Sequence, residues 1–233
     1  MLQLRNLSDD RFSGLCVYCG RRAGTRDHVP SRVLLDEPFP TNLPVVLSCE
    51  DCNRSFSLDE SYLACLIDAI RTGSTLPDPE MRPKVRRILK ESPLLAARIE
   101  RNKVANSSGL FWQPELARVR SVVLKLARGH AAFEFGEARL EEPEDVDIIP
   151  LVSMSALERT GFERPPASGL WPEVGSRAMQ RLVVRWPQDD GGWLEVQRDR
   201  YRYAVGSQCG LTVRVVLSEY LACRVSWCRI EPT

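Results

Sequence analysis

Two Cys-x-x-Cys pairs near the start of the chain constrain its fold more than any other feature. They are Cys16-Val-Tyr-Cys19 and Cys49-Glu-Asp-Cys52. Each pair can form a tight turn that presents two sulfur atoms on one side, and two such turns supply the four ligands of a tetrahedral metal site. The spacing predicts a structural zinc ion held by all four cysteines. Residues 20–48, which separate the pairs, form a longer interval than a simple zinc ribbon has.

Polar residues in and just after this interval are of the types that form a second, catalytic site. The interval contains Asp27-His28-Val29-Pro30 and Asn42, and Asn53 directly follows Cys52. Residues 43–49 predict a short buried strand, and a helical turn is expected after Cys52, which gives a hairpin followed by a helix. Oxygen atoms of Asp27 and Asn53 suit a hard ion such as magnesium. On an extended segment His28 points away from Asp27, where a base could activate water.

The order of these residues resembles that of the HNH nucleases, whose ββα-metal fold belongs to the His-Me finger group. The resemblance covers roughly residues 13–60. It implies that His28 is the general base and that Asn42 orients the histidine loop through a side-chain hydrogen bond. It also implies that Asp27 and Asn53 hold one catalytic Mg²⁺ or Mn²⁺ and that Cys16, Cys19, Cys49 and Cys52 hold zinc. Asn53 stands where many members have histidine, and the lysine often found further along is absent.

Taken alone, several of these residues also allow simpler interpretations. Asp27 could be a turn acid, and Thr-Asn before Leu-Pro is typical of a bend, which would account for Asn42. Asp59 and Glu60 lie near the predicted metal, but a capping box formed by Ser57 and Glu60 is the favoured interpretation of that segment. His130 is the other histidine of the chain. Its position near a predicted helix end favours a structural role.

The charge of the chain is unevenly distributed. Formal net charge is +1, from 32 basic and 31 acidic residues. Eight basic residues against two acidic ones lie between residues 82 and 103, and seven acidic residues against one arginine lie between 134 and 147. Arginine dominates the basic residues, and its planar fork matches phosphate. A near-neutral total therefore does not argue against a nucleic-acid partner.

No apolar stretch long enough to span a membrane occurs, and the first residues lack the apolar segment of an export signal. We therefore expect a cytoplasmic protein that does not associate with membranes. Cysteines stay reduced in that compartment, so the cysteines outside the two pairs are expected to be small core residues. These cysteines are Cys65, Cys209, Cys223 and Cys228.

Periodicity predicts an α+β chain in three parts: the zinc-tied ββα-metal module at 13–60, a helical region at 61–140, and a β-rich C-terminal domain at 141–233. Helices are predicted from Ser57 to Gly73, at 80–91, at 93–104, and from Pro114 to Gly129. Residues 106–109 are predicted to be a loop and residues 141–150 an acidic linker. Antiparallel strands are predicted at 181–186, 193–197, 201–205 and within 211–227.

The function expected from the resemblance is metal-dependent hydrolysis of phosphodiester bonds in DNA, leaving 5′-phosphate and 3′-hydroxyl ends. Two alternatives remain open. The chain could be a zinc-stabilised nucleic-acid-binding or protein-interaction module without turnover, or a nuclease effector of a defence or toxin system controlled by a partner. Residues 141–233 could fix the substrate, form a homo-oligomer, or bind a regulatory protein.

Overall fold

The computed structural model describes residues 14–106, 109–164, 176–179, 192–207 and 210–227. The N-terminal half contains β1 (Thr25–His28), β2 (Val45–Ser48), α1 (Glu50–Thr72), α2 (Pro83–Glu91), α3 (Pro93–Arg101), β3 (Lys103–Asn106), β4 (Gly109–Trp112) and α4 (Leu116–Phe135). The C-terminal half contains β5 (Asp145–Pro150), α5 (Ala156–Glu163), β6 (Trp193–Gln197), β7 (Tyr201–Gly206), β8 (Leu211–Leu217) and β9 (Leu221–Trp227). Short 3-10 turns lie at Arg32–Leu34 and Leu151–Ser153. Mixed helix and antiparallel sheet confirm the α+β class.

The N-terminal part is an antiparallel hairpin of β1 and β2 that leads directly into α1. The prediction that Ser57 begins this helix was wrong, because α1 starts at Glu50 and Cys49 is its N-cap. The Cys49 sulfur accepts a hydrogen bond from the Cys52 N–H, so a cysteine takes the capping role that Ser57 was predicted to have. The predicted helix end is confirmed, since Gly73 adopts a left-handed conformation with φ of 75°.

The helical middle differs from the prediction at two points. Helix α3 ends at Arg101, and Lys103–Asn106 pairs with Gly109–Trp112 as β3 and β4, where the helix was predicted to reach residue 104. Asn106 and Gly109 of the loop predicted at 106–109 are strand residues, and residues 107 and 108 lie outside the described ranges. Helix α4 does not end at Gly129 but continues to Phe135. Gly129 is a packing position, because a Cβ atom there would lie 2.6 Å from Cγ2 of Val29. The glycine therefore lets α4 approach the chain next to His28.

The C-terminal part is a five-stranded antiparallel sheet in the order β5-β9-β8-β7-β6. Strands predicted at 193–197, 201–205 and within 211–227 are confirmed, and the last segment divides at the turn formed by residues 218–220. The predicted linker at 141–150 was wrong in part, because β5 pairs with β9 at the sheet edge. The strand predicted at 181–186 lies outside the described residues. Helix α5 packs on the sheet through Phe162, which contacts a small cluster with Val216 and Ala222.

One continuous hydrophobic core joins the two halves. Helix α4 contacts α1 and β2 on one side and strands β7, β8 and β9 on the other. Cys65 and Cys223 are buried in this core, as predicted, whereas Cys209 and Cys228 lie outside the described residues. The division at 60/61 and 140/141 stays a prediction, although α1 runs through the first boundary. Among the described residues, no helix has the length and apolar character needed to cross a bilayer.

Candidate functional site

The four cysteines meet at the base of the hairpin. Their sulfur atoms all lie within 4.8 Å of one another, and the Cys19 and Cys49 sulfurs are 3.7 Å apart. A tetrahedral zinc ion with Zn–S bonds of about 2.3 Å requires sulfur atoms separated by about 3.8 Å. The first pair is shaped by a turn in which the Gly20 N–H donates to the Cys16 carbonyl, and Val17 N–H donates to Leu47 of β2. This cluster can therefore hold a metal ion.

A positive side chain covers the cysteine cluster. The Arg21 guanidinium donates to the Cys19 sulfur at 3.5 Å and the Cys49 sulfur at 3.9 Å, and it forms an ion pair with Asp51 at 3.0 Å. Burial raises the pKa of the Cys19 thiol, but the hydrogen bonds from Arg21 and its cysteine neighbours outweigh this effect and lower the pKa to about 6. The environment of Cys19 thus favours thiolate, the form that binds metal.

Strand β1 presents its residues to two different environments. Asp27 is buried, whereas Arg26 is exposed and His28 is half-buried. Because side chains alternate along a strand, Arg26 and His28 share the outer face of the hairpin, and Thr25 and Asp27 share the face towards α1. Burial lowers the pKa of His28, and the charge of Arg32, whose Nη2 lies 3.4 Å from Nε2, lowers it further. The imidazole is therefore neutral at pH 7, as a proton acceptor must be.

Asp27 belongs to a buried cluster of charged and hydroxyl groups. Its Oδ2 lies 2.8 Å from the Lys125 ammonium and accepts a hydrogen bond of 2.8 Å from the Tyr18 hydroxyl. Lys125 also pairs with Glu60 and donates to the Ser31 hydroxyl at 2.8 Å. Asp27 and Glu60 are each 5% exposed, and Lys125 is 1% exposed. Burial raises the pKa of Glu60, and its contacts with Lys125 and Ser31 oppose that shift. The ammonium therefore holds two carboxylates that would otherwise repel each other.

The two predicted asparagines have different surroundings. Asn53 lies in the first turn of α1, and its Nδ2 is 3.3 Å from the Thr25 hydroxyl and 3.4 Å from the Arg26 carbonyl. Its Oδ1 accepts no hydrogen bond from any described residue. Asn42 is exposed in a turn, and its side chain forms no hydrogen bond within the described ranges. The link between this segment and the histidine loop is instead the Val29 N–H, which donates to Pro44 at 2.9 Å. The orienting role of Asn42 stays a prediction.

The contacts of Asn53 and Asp27 determine which of their oxygen atoms can bind the predicted catalytic cation. Asn53 contacts Thr25 and the Arg26 carbonyl of β1, and its free Oδ1 suits a hard ion. Asp27 does not fit direct metal binding through Oδ2, because Lys125 and Tyr18 already hold that atom. No hydrogen bond joins Asp27, His28 and Asn53 to one another in the described part of the chain. Their use as one metal site therefore stays a prediction.

Sequence reasoning missed Lys125, Ser31 and Tyr18, and it gave Glu60 the wrong contact. Glu60 pairs with Lys125 instead of forming a capping box, and Asp59 pairs with Arg118 at 2.6 Å. One signal could have found Lys125, because it is a lone charge among apolar residues between Val122 and Ala127. The structural role predicted for His130 agrees with its complete burial. Its ring stacks on Tyr203 with centroids 3.7 Å apart, and Nε2 lies 2.7 Å from the Tyr201 hydroxyl.

Comparison of the chain with models of protein families, with curated proteins and with solved structures finds no match in any of the three. The resemblance to HNH nucleases therefore rests on the residues and on their arrangement.

Proposed function

We propose that this chain is an endonuclease that hydrolyses phosphodiester bonds of DNA, with His28 as its general base. The observation that carries the proposal is the arrangement of the hairpin and helix around the four cysteines. The cysteine cluster joins the base of the β1–β2 hairpin to the start of α1. His28 ends β1 on the outer face, Asp27 precedes it as a buried residue, and Asn53 of α1 contacts Thr25 of the same strand. The hairpin, the helix and the cysteine cluster support the proposal, and the use of Asp27, His28 and Asn53 as one catalytic site is part of the proposal itself.

The chemistry assigned to His28 is removal of a proton from the attacking water. Its lowered pKa keeps the ring neutral at pH 7, and its half-buried position leaves it accessible to substrate. Arg32 beside Nε2 disfavours the imidazolium and supplies positive charge near an incoming phosphate. General-base catalysis of this kind typically contributes about 10²- to 10⁴-fold in rate.

Two metals belong to the proposal. Structural zinc is assigned to Cys16, Cys19, Cys49 and Cys52, whose sulfur spacing fits a tetrahedral ion. A catalytic Mg²⁺ or Mn²⁺, when bound, would supply positive charge at the scissile phosphate. Asn53 offers an oxygen ligand for this ion. Asp27 can bind the ion directly only if the ion replaces the Lys125 ammonium at Oδ2, or if Oδ1 is the only ligand atom that Asp27 supplies. The protein groups that carry the chemistry here are His28 and Arg32.

The decisive experiment compares the parent protein with His28→Ala in a plasmid-cleavage assay with Mg²⁺ or Mn²⁺, and with EDTA added. We expect the parent to cleave and the variant to lose at least about 100-fold in rate, because the general base is gone. Zinc content and thermal unfolding of the variant should match the parent, since His28 is only half-buried and is not a cysteine ligand. Cleavage by His28→Ala at the parent rate would refute the assignment.

A second candidate function is supported by the contacts of Asp27. Its Oδ2 is neutralised by Lys125, so the chain could retain the zinc-stabilised hairpin and bind nucleic acid without turnover. This alternative predicts that the parent protein binds duplex DNA but leaves plasmid intact with every divalent ion tested. The same assay with a parallel binding measurement separates the two functions.

A further inference from the structure

Arg32, Lys84 and Arg87 form a group of positive charges, and Arg32 lies beside His28. Arg32 and Arg87 are exposed, whereas Lys84 is half-buried. Arg32, four residues after His28, lies in the 3-10 turn, and its Cζ is 5.5 Å from the centroid of the Phe39 ring. The Lys84 ammonium of α2 lies 5.7 Å from the same centroid. Arg87 follows Lys84 by three positions, so the two share one face of the helix. We call Arg32, Phe39, Lys84 and Arg87 the cationic patch.

Among the described residues, the cations of the cationic patch are not held in ion pairs, although Glu37 interacts electrostatically with Lys84. Arg54, Arg98 and Arg118, by contrast, each pair with a carboxylate within 2.6 Å. Burial lowers the pKa of Lys84, and the charges of Arg87 and Arg32 lower it further against an opposing effect of Glu37. These cations therefore repel one another, and an anionic ligand would relieve that repulsion.

The patch is also held in a fixed position. The buried Arg82 guanidinium donates to the Val33 carbonyl at 3.0 Å and to the Ala64 carbonyl at 3.1 Å. It pairs with Asp68 at 2.9 Å, which joins the start of α2, the turn that contains Arg32, and helix α1. A preorganised group of cations loses little conformational entropy when it binds phosphate.

We propose that the cationic patch binds the sugar-phosphate backbone of a nucleic acid and so presents a scissile phosphate to His28. The inference deepens the proposed nuclease function and rests on it for the role of His28. Arginine and lysine side chains match a row of phosphates, and Arg32 places one end of the patch beside the His28 ring, with Nη2 3.4 Å from Nε2. Contacts of this kind bind without reading base sequence, so the patch supplies affinity and position instead of sequence specificity.

The test measures binding of fluorescein-labelled duplex DNA by anisotropy in EDTA, for the full chain, for Arg32→Gln, Lys84→Gln and Arg87→Gln, and for the triple patch variant that combines these three substitutions. Each substitution is expected to weaken binding about tenfold near 0.1 M salt and to reduce the slope of log K against log salt by about one. The matched control is Arg159→Gln with Arg198→Gln, two exposed cations on α5 and after β6. The control should bind like the parent. Single-stranded DNA and RNA probes show which backbone binds best.

The outcomes separate this inference from the proposed function. If the patch variants lose DNA binding but the parent protein does not cleave DNA, the patch is supported as a phosphate-binding surface and the nuclease proposal is refuted. If the parent cleaves and the triple patch variant keeps its Kd and KM, the patch is overturned and the nuclease proposal survives. Equal loss of binding in the control would overturn the patch, since the effect would then follow net charge alone. Preferential binding of poly-glutamate over every nucleic acid would also overturn it.

Discussion

At the scale of single residues, Lys125 is the most informative side chain of the candidate site. It lies on α4, yet it contacts Asp27 of β1 and Glu60 of α1 in the interior of the protein. Two buried carboxylates near one another are unfavourable unless a cation lies between them. The ammonium therefore stabilises the end of β1, next to the proposed base.

We predict that Lys125→Met destabilises the protein by about 3–5 kcal/mol, because it leaves two buried carboxylates without their cation. Chemical denaturation at pH 7 measures the change in free energy of unfolding. The double variant Lys125→Met/Glu60→Gln removes one of the repelling charges and should recover part of the loss. A Lys125→Met protein that unfolds like the parent would contradict the stabilising role of the ammonium.

At the scale of secondary-structure elements, the approach of α4 to the histidine loop depends on one glycine. Gly129 lies one turn after Lys125, and the Val29 side chain occupies the space that a Cβ atom would need. A glycine inside a helix ordinarily costs about 1 kcal/mol relative to alanine. Close packing against Val29 accounts for its presence in the middle of α4.

We predict that Gly129→Ala destabilises the protein by about 1–3 kcal/mol through overpacking, despite the better helix propensity of alanine. The matched control is Gly161→Ala on α5, where a Cβ atom would meet no atom within 4 Å. That control should be neutral or more stable by up to about 1 kcal/mol. Thermal unfolding of both variants provides the comparison.

A double-mutant cycle identifies the contact responsible. If Val29 is the obstacle, Gly129→Ala/Val29→Ala should lose less stability than the sum of the two single losses. Additive losses would indicate that α4 is displaced for another reason.

At the scale of the whole molecule, α4 connects the cysteine-tied hairpin to the C-terminal sheet through one continuous core. Loss of the hairpin would expose the buried face of α1, on which α4 packs. We therefore expect the consequences of metal loss to reach the sheet as well as the hairpin.

We predict that Cys49→Ser abolishes stable metal binding and folding of the hairpin, since binding of structural zinc to small domains is worth about 10 kcal/mol or more. Elemental analysis should find one zinc per parent chain and none in the variant, and circular dichroism should show a lower unfolding temperature. Cys65→Ala is the matched control, because it removes a buried cysteine outside the cluster and should keep the metal. A Cys49→Ser protein with parental unfolding would argue against structural zinc.

Local sequence patterns were sufficient to predict the structural features that depend on residues close in the chain. The two cysteine pairs predicted a cluster that the structure brings within 4.8 Å, because a Cys-x-x-Cys turn defines its own geometry. Alternation predicted β6 and β7, and the conformational freedom of glycine predicted the end of α1 at Gly73. Periodicity could not show that α4 continues through Gly129, since a helix-internal glycine and a C-terminal one look alike in sequence.

The cysteine spacing by itself thus determined the two turns that each present a pair of sulfur atoms, because each turn depends on residues close in the chain. The contact between the two turns joins residues 30 positions apart, and the pairing of β1 with β2 brings them together. Only the tertiary structure decided the surroundings of the candidate site. In the folded chain Asp27 is buried against Lys125, Asn42 is exposed, and Arg32 and Lys84 both lie near the Phe39 ring. These contacts join residues far apart in sequence. They depend on how α2 and α4 pack against the hairpin, and no local sequence pattern predicts that packing.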